Sequence, residues 1–272
     1  MLKVDGHTHT EYCPHGSGDA AEAMIQAAIA AGVSAYHITE HTPVPDAFMA
    51  HLQPYETLLG DLAMPESEVD RYLKEMLALK AKYKSQIDIK VGFEVDFLPP
   101  YKRWTTDFLN EYGPYCETGI LSVHYLPDAT GWRCVDYKAE DVAQHLLPHY
   151  GGVIGLQRAY YDSVLDSIHA DLGQYKPQRI GHMTLINKFQ KKLGIVPTDE
   201  VFHQQRAVLE AVKGAGMSLD YNQAGLFKPD CGETYPPASI AKLAQEMGIA
   251  LVYGSDAHSV AQIERINCLK YG

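Results

Sequence analysis

Val4-Asp5-Gly6-His7-Thr8-His9 and, near the other end of the chain, Tyr253-Gly254-Ser255-Asp256-Ala257-His258 carry most of the architectural information in this sequence. In an extended strand alternate side chains share a face, so His7 with His9 and Asp256 with His258 each form a pair of metal ligands. Such pairs imply a hydrolytic metal site. One H-x-H says little in a chain of 272 residues with 13 histidines. Its weight comes from where the other candidate ligands fall.

Working outward, short β-rich runs alternate with helical stretches. The expected strands are Leu2–His7, Ala35–Glu40, Ile87–Val95, Gly119–Tyr125, Arg179–Met183, Ser218–Tyr221 and Ala250–Ser255. Helices are expected over Ala20–Ala31, Glu66–Tyr83, Val201–Ala215 and Ala238–Met247, and another over Asp141–Tyr150. Thr42–Pro65, with four prolines and no clear period, reads as a long loop. Such alternation predicts parallel strands covered by helices.

The candidate ligands gather at or just past the carboxyl ends of these strands. His7 and His9 follow the first, Glu40 and His41 the second, Glu94 lies on the third, His124 on the fourth, His182 on the fifth, and Asp256 and His258 follow the last. Only a closed barrel brings that end of every strand to one point, and barrel enzymes place their sites there. The expected fold is therefore an α/β, distorted TIM-like barrel of seven strands, a single domain over residues 1–272. Glu94, in the apolar run Val91-Gly92-Phe93-Glu94-Val95, is costly to bury unless a cation pairs with it, and a metal-bridging role would offset that cost. Imidazoles and carboxylates without cysteine suit zinc, iron or manganese in a catalytic rather than a closed structural site. Cys13 reads as a small loop residue, and the histidines at 37, 51, 145, 149, 169 and 203 receive no role.

Composition narrows the function. A formal charge of −11 argues against broad contact with nucleic acid, whose phosphates demand a basic surface. Five cysteines without a C-x-x-C pair argue against a disulfide framework and fit a reducing cytoplasm. The start, Met1-Leu2-Lys3-Val4-Asp5, has no apolar export segment, and no stretch approaches the ~18 apolar residues of a membrane span. A small phosphorylated substrate fits, because bound divalent metals reverse the local field of an acidic protein. Oligomeric state is left open.

His7-Thr8-His9, His15, Glu40-His41, Glu94, Ser122-Val123-His124, Gly181-His182 and Gly254-Ser255-Asp256-Ala257-His258 resemble, in order, the motifs of the polymerase and histidinol phosphatase (PHP) superfamily over essentially the whole chain. Gly119–Tyr125, Asn222-Gln223-Ala224-Gly225-Leu226, Lys228-Pro229 and Tyr235-Pro236-Pro237 are similar to its histidinol-phosphate phosphatase branch. The resemblance implies a distorted (β/α)7 barrel with three divalent ions. The first would take His7, His9, Glu94 and Asp256; the second Glu94, His124 and His182; the third His15, His41 and His258. It further implies hydrolysis of L-histidinol phosphate in histidine biosynthesis, with catalytic roles for Asp256, Glu94 and His258. Arg158, Lys228, Lys188 and Asn222 would bind substrate. Where relatives often carry an arginine in a phrase like G-H-L-D-L-V-R-K-F, this chain has Asn187, followed by Lys188. Competing readings are another phosphoesterase or 3′–5′ exonuclease of the superfamily, and a noncatalytic metal-binding protein.

Overall fold

The computed structural model describes residues 3–54, 58 and 60–265. Its strands are β1 (Val4–Asp5), β2 (Ala35–His41), β3 (Leu52–Gln53), β4 (Asp88–Asp96), β5 (Thr118–Ser122), β6 (Tyr125–Pro127), β7 (Trp132–Cys134), β8 (Arg179–Ile180), β9 (Ser218–Asn222) and β10 (Leu251–Gly254). Seven of them pair in parallel in the order β1-β2-β4-β5-β8-β9-β10. The seam between the first and last closes through Gly6 N donating to Tyr253 O at 2.7 Å, Asp256 N to His7 O at 2.8 Å and His9 N to Ala257 O at 2.9 Å. The result is a nearly closed seven-stranded barrel. Its first strand was expected from Leu2, which lies outside the described residues, as does Cys268; Cys13, Cys116, Cys134 and Cys231 are free thiols.

Helices cover the outside because parallel strands are buried on both faces. They are α1 (Ala21–Ala30), α2 (Asp46–Met49), α3 (Val69–Tyr83), α4 (Lys102–Tyr112), α5 (Val153–His169), α6 (Asp199–Gly214), α7 (Ala238–Glu246) and α8 (Val260–Glu264). α3 shows why they form: Val69, Tyr72, Leu73, Met76 and Tyr83 recur at helical spacing and are buried against the barrel. α6 starts where Thr198 Oγ1 accepts from Val201 N at 3.2 Å, a side-chain cap on an otherwise unpaired donor. No helix among the described residues is long and apolar enough to cross a membrane.

One expectation is met with a difference and two need correction. The helix expected over Asp141–Tyr150 is present from Ala139 to His149 but widens into a π-helical turn over Val142–Leu146, and a second, longer helix, α5, begins after Gly151 and Gly152, which take positive φ of 74° and 107°. α4 was not expected, although Thr105, Phe108, Leu109 and Tyr112 carry the buried helical spacing. The segment 42–65 is not a structureless loop: it holds α2 and β3, and β3 joins β7 and β6 in a separate three-stranded sheet. Phe48, Leu52, Leu58, Leu98 and Tyr125 bury a second apolar cluster beneath that sheet, which gives the segment a packing reason to be ordered.

Candidate metal centre

Strand register determines which side chains share the barrel interior. Thr39 and His41 on β2 stand beside Gly92 and Glu94 on β4, and Glu94 and Asp96 stand beside Ile120 and Ser122 on β5. A Cβ at Gly92 would lie 1.9 Å from the Thr118 carbonyl oxygen, so glycine is what lets β4 and β5 approach below the carboxylate.

Glu94 is 1% exposed and sits among five imidazoles. Its Oε2 faces His7 Nε2 at 3.1 Å, His41 Nδ1 at 3.3 Å and His9 Nε2 at 3.5 Å, whereas Oε1 faces His182 Nε2 at 2.9 Å and His124 Nε2 at 3.6 Å. One oxygen therefore serves each side, the geometry of a bridging carboxylate. The Ser122 hydroxyl donates to Oε1 at 2.6 Å and fixes its rotation. Asp256 Oδ1 lies 3.2 Å from His9 Nε2 and 3.7 Å from His7 Nε2, while Oδ2 accepts from Asn222 Nδ2 at 3.1 Å. Asp256 has φ of 55°, a left-handed conformation uncommon outside glycine, and its N–H donates to His7 O.

Three of these imidazoles are backed by buried carboxylates. His7 Nδ1 meets Asp220 Oδ2 at 2.7 Å, His9 Nδ1 meets Glu40 Oε1 at 3.1 Å and His124 Nδ1 meets Asp96 Oδ1 at 2.6 Å. Each pair leaves Nε2 directed at the centre, the orientation a metal-bound histidine requires. Glu40, a suspected ligand by position, is thereby corrected to a supporting role. Its oxygens are taken by His9, by Thr10 N and Oγ1 at 2.8 and 2.7 Å, and by His41 N at 2.9 Å.

Donor atoms of His7, His9 and Asp256 lie within 4.8 Å of one another, as do those of Glu94, His124 and His182. A third group combines His9, Cys13, His41 and His258, so Cys13, read from sequence as a bland residue, reaches the cluster. His15 stays exposed at the rim, with Nδ1 2.7 Å from Asp61 O and its ring 5.2 Å from His41 and 5.1 Å from His258. The residues fit divalent metal. The donors are imidazole nitrogens and carboxylate oxygens, and the buried Nε2 atoms of His9 and His258 have no aligned hydrogen-bond partner among the described residues.

The electrostatics agree with a cation-seeking site. Burial opposes charge on His7, yet Glu94, Asp220 and Asp256 outweigh it and hold that imidazole well above its usual pKa. His9 and His124 are likewise raised against burial, to about 9 and about 10, by Asp256 and Glu40 and by Asp96 and Glu94 respectively. Burial opposes ionisation of Glu94 and Asp256 too, but the imidazoles hold both carboxyls well below the usual range. Burial and the charge on His9 push His41 and His258 well down, leaving them neutral donors.

Two adjoining cavities of about 240 and about 250 Å³ open over the cluster and share His15, Asp136, Lys188, Asp256 and His258. Lys188 Nζ donates to Asp136 O at 2.6 Å and to Asp136 Oδ2 at 2.9 Å, placing its ammonium between the cavities. Lys228 lines the outer one, beside Arg265. Asn187 turns away and accepts from Gln157 Nε2 at 3.0 Å. Arg158 is a correction: it lines neither cavity, is 56% exposed on α5, and pairs with Glu200 on α6. Asn222 is wholly buried and braces Asp256 and Asp220 rather than opening to solvent. Sequence reasoning missed Asp96 and Asp220. The available signal was spacing, since Asp96 follows Glu94 by two and Asp220 precedes Asn222 by two, each pair on one strand face.

A parallel barrel with imidazoles and carboxylates converging at the carboxyl ends of its strands is the arrangement of a metal-dependent hydrolase. The PHP domain model matches residues 5–224, and the chain belongs to that family. It is 37% identical over 263 residues to the histidinol-phosphatase of Bacillus subtilis (strain 168), covering 97% of this chain and 96% of that protein. The crystal structure of a protein assigned as a histidinol phosphatase from Listeria monocytogenes matches with a TM-score of 0.94 and 45% identity, covering 97% of this chain and 98% of that one. Histidinol phosphate phosphatase from Lactococcus lactis subsp. lactis Il1403, solved with zinc, L-histidinol and phosphate, shares the fold at a TM-score of 0.65 and 18% identity over 98% of this chain and 92% of that one.

Proposed function

We propose that this chain, a single domain over residues 1–272, is a metal-dependent phosphomonoesterase that hydrolyses L-histidinol phosphate to L-histidinol and inorganic phosphate in histidine biosynthesis. The observation that carries the chemistry is Glu94, with one oxygen toward each of two donor groups. The substrate follows from near-complete alignment with a histidinol-phosphatase at 37% identity. The assignment is three ions of zinc, iron or manganese: one on His7, His9, Glu94 and Asp256, one on Glu94, His124 and His182, and one on His15, His41 and His258. Bound divalent ions supply a water of lowered pKa and neutralise charge on the phosphoryl and leaving oxygens.

The chain's own residues do the rest. Asp220, Glu40 and Asp96 hold the backed imidazoles in one tautomer, so no reorientation is needed when substrate arrives. Lys188 and Lys228 receive the phosphate, and the lysine at 188 fills the place left by Asn187. Asp256, fixed by Asn222, takes the proton of the attacking water, while His258 orders the rim beside it. The water oxygen bonds phosphorus as the P–O bond to the histidinol oxygen breaks, and the proton held by Asp256 passes to that departing oxygen. An acidic chain of −11 suits this small substrate better than nucleic acid. The test is phosphate release from L-histidinol phosphate against a panel of other monoesters and a single-stranded oligonucleotide, with protein reconstituted with each metal. A preference for L-histidinol phosphate is expected; equal rates on unrelated monoesters, or faster oligonucleotide cleavage, would refute the assignment.

A further inference from the structure

Beneath the imidazole layer the barrel interior holds a guanidinium. Arg179 opens β8, is 4% exposed, and donates through Nη2 to Thr118 Oγ1 at 2.9 Å. Its Nη1 has no hydrogen-bond partner among the described residues and lies 2.5 Å from where a Cβ on Gly6 would stand. On β9, Asp220 is wholly buried and gives Oδ2 to His7 Nδ1, but its Oδ1 is also without a partner and lies 2.4 Å from where a Cβ on Gly254 would stand. Gly6 and Gly254 both lie along the β1–β10 seam, which the Gly6 N to Tyr253 O bond closes. With no side chain at either glycine, the guanidinium and the carboxylate press against the seam, each keeping one unpartnered atom of opposite charge.

The energetics demand a link. A buried polar atom left unsatisfied costs about 1–3 kcal/mol, and an uncompensated buried charge costs more. Arg179 and Asp220 form no direct ion pair among the described residues, and a single buried water, which ordinarily makes about three hydrogen bonds, is the simplest link that would satisfy both orphan atoms. Burial lowers the Arg179 pKa, and of the carboxylates that oppose this Asp220 acts most strongly, ahead of Asp5 and Glu94. The guanidinium is therefore the counter-charge that the buried acids under the metal layer require.

We propose that Arg179 is a positioning residue that acts through Asp220, across one water bridging them beside Gly6 and Gly254, to hold the His7 imidazole with Nε2 toward Glu94 and Asp256. The proposal rests on the metal-site reading above. Arg179 touches neither substrate nor metal. Its effect runs through the charge and direction of Asp220, so removing Arg179 matters only while Asp220 is there to be directed.

A double-mutant cycle on the metal-loaded enzyme, read as zinc affinity by chelator competition, tests it. Asp220→Asn should weaken zinc retention by about 10- to 100-fold, the usual effect of losing a partner behind a metal-bound histidine. Arg179→Met should weaken it about tenfold, and the double variant should be no more than about threefold worse than Asp220→Asn alone. If Arg179→Met does not fold, Arg179→Lys takes its place: it keeps the charge without the planar fork, and should lose about three- to tenfold with the same failure to multiply. Zinc affinity within twofold of the parent in the folded Arg179 variant, or losses that multiply in the double variant, overturns the proposal. A parent protein that binds no zinc would instead sink the metal reading, so the two failures are distinguishable.

Discussion

Glu94→Gln keeps the length and shape of a side chain that is 1% exposed and removes one charge from the centre of five imidazoles. Two unit charges 4 Å apart at an effective dielectric of 20 interact by about 4 kcal/mol, and a divalent ion raises that figure. Counting one such contact as the floor, since an amide oxygen still reaches one side, the loss is about a thousandfold in kcat/KM at ~1.4 kcal/mol per tenfold. In the metal-free fold His7 keeps Asp220 and Asp256, and His124 keeps Asp96, so stability should change by only about 1–2 kcal/mol. Three measurements decide: phosphate release from L-histidinol phosphate at saturating metal, elemental analysis of the variant, and thermal unfolding of the metal-free protein. Activity within about tenfold of the parent at full metal content would refute the bridging role, and a collapse of the metal-free fold would show that Glu94 is structural.

Lys188→Met should lower kcat/KM about 10- to 100-fold through loss of a charge-assisted phosphate contact of ~1.5–3 kcal/mol, with metal content unchanged; an effect under twofold removes Lys188 from the site. Arg158→Ala should leave kcat/KM within about twofold and stability near that of the parent, because its ion pair with Glu200 is exposed; a tenfold kinetic loss would restore it as a phosphate anchor. At Asp128 burial raises the carboxyl pKa, but the Thr130 hydroxyl and Arg133 outweigh it and bring the value down to about 2. A depressed carboxyl stabilises the fold above its unfolded value and loses that contribution as pH falls from about 4 to about 2. Asp128→Asn should therefore cost about 1–2 kcal/mol at pH 7 and almost nothing at pH 2, and denaturant unfolding at both pH values checks it. A loss of equal size at both pH values contradicts the linkage.

The i, i+2 pairs at His7 and Asp256, the carboxylate of Glu94 inside an apolar strand, and the alternation of strands with helices were all legible in the sequence, because side-chain alternation and the cost of a buried charge are local facts. Their placement at strand ends was enough to argue for closure. The sequence alone could not say which way a helix turns: Arg158 lies at a plausible position in the chain, yet its face of α5 meets α6 and solvent rather than the cavity. Nor could it reveal the partners behind the imidazoles, since Asp220 lies 213 residues from His7, Asp96 carried no mark of its own, and Glu40 read as a ligand rather than a support. Within 42–65, α2 and β3 are set by pairing with β7 and a shared apolar cluster, contacts made with distant residues. Local periodicity thus determined the elements and the ligand types, whereas parallel register and barrel closure, which depend on every strand at once, decided which donors meet, which carboxylates hold them and which charges stay outside.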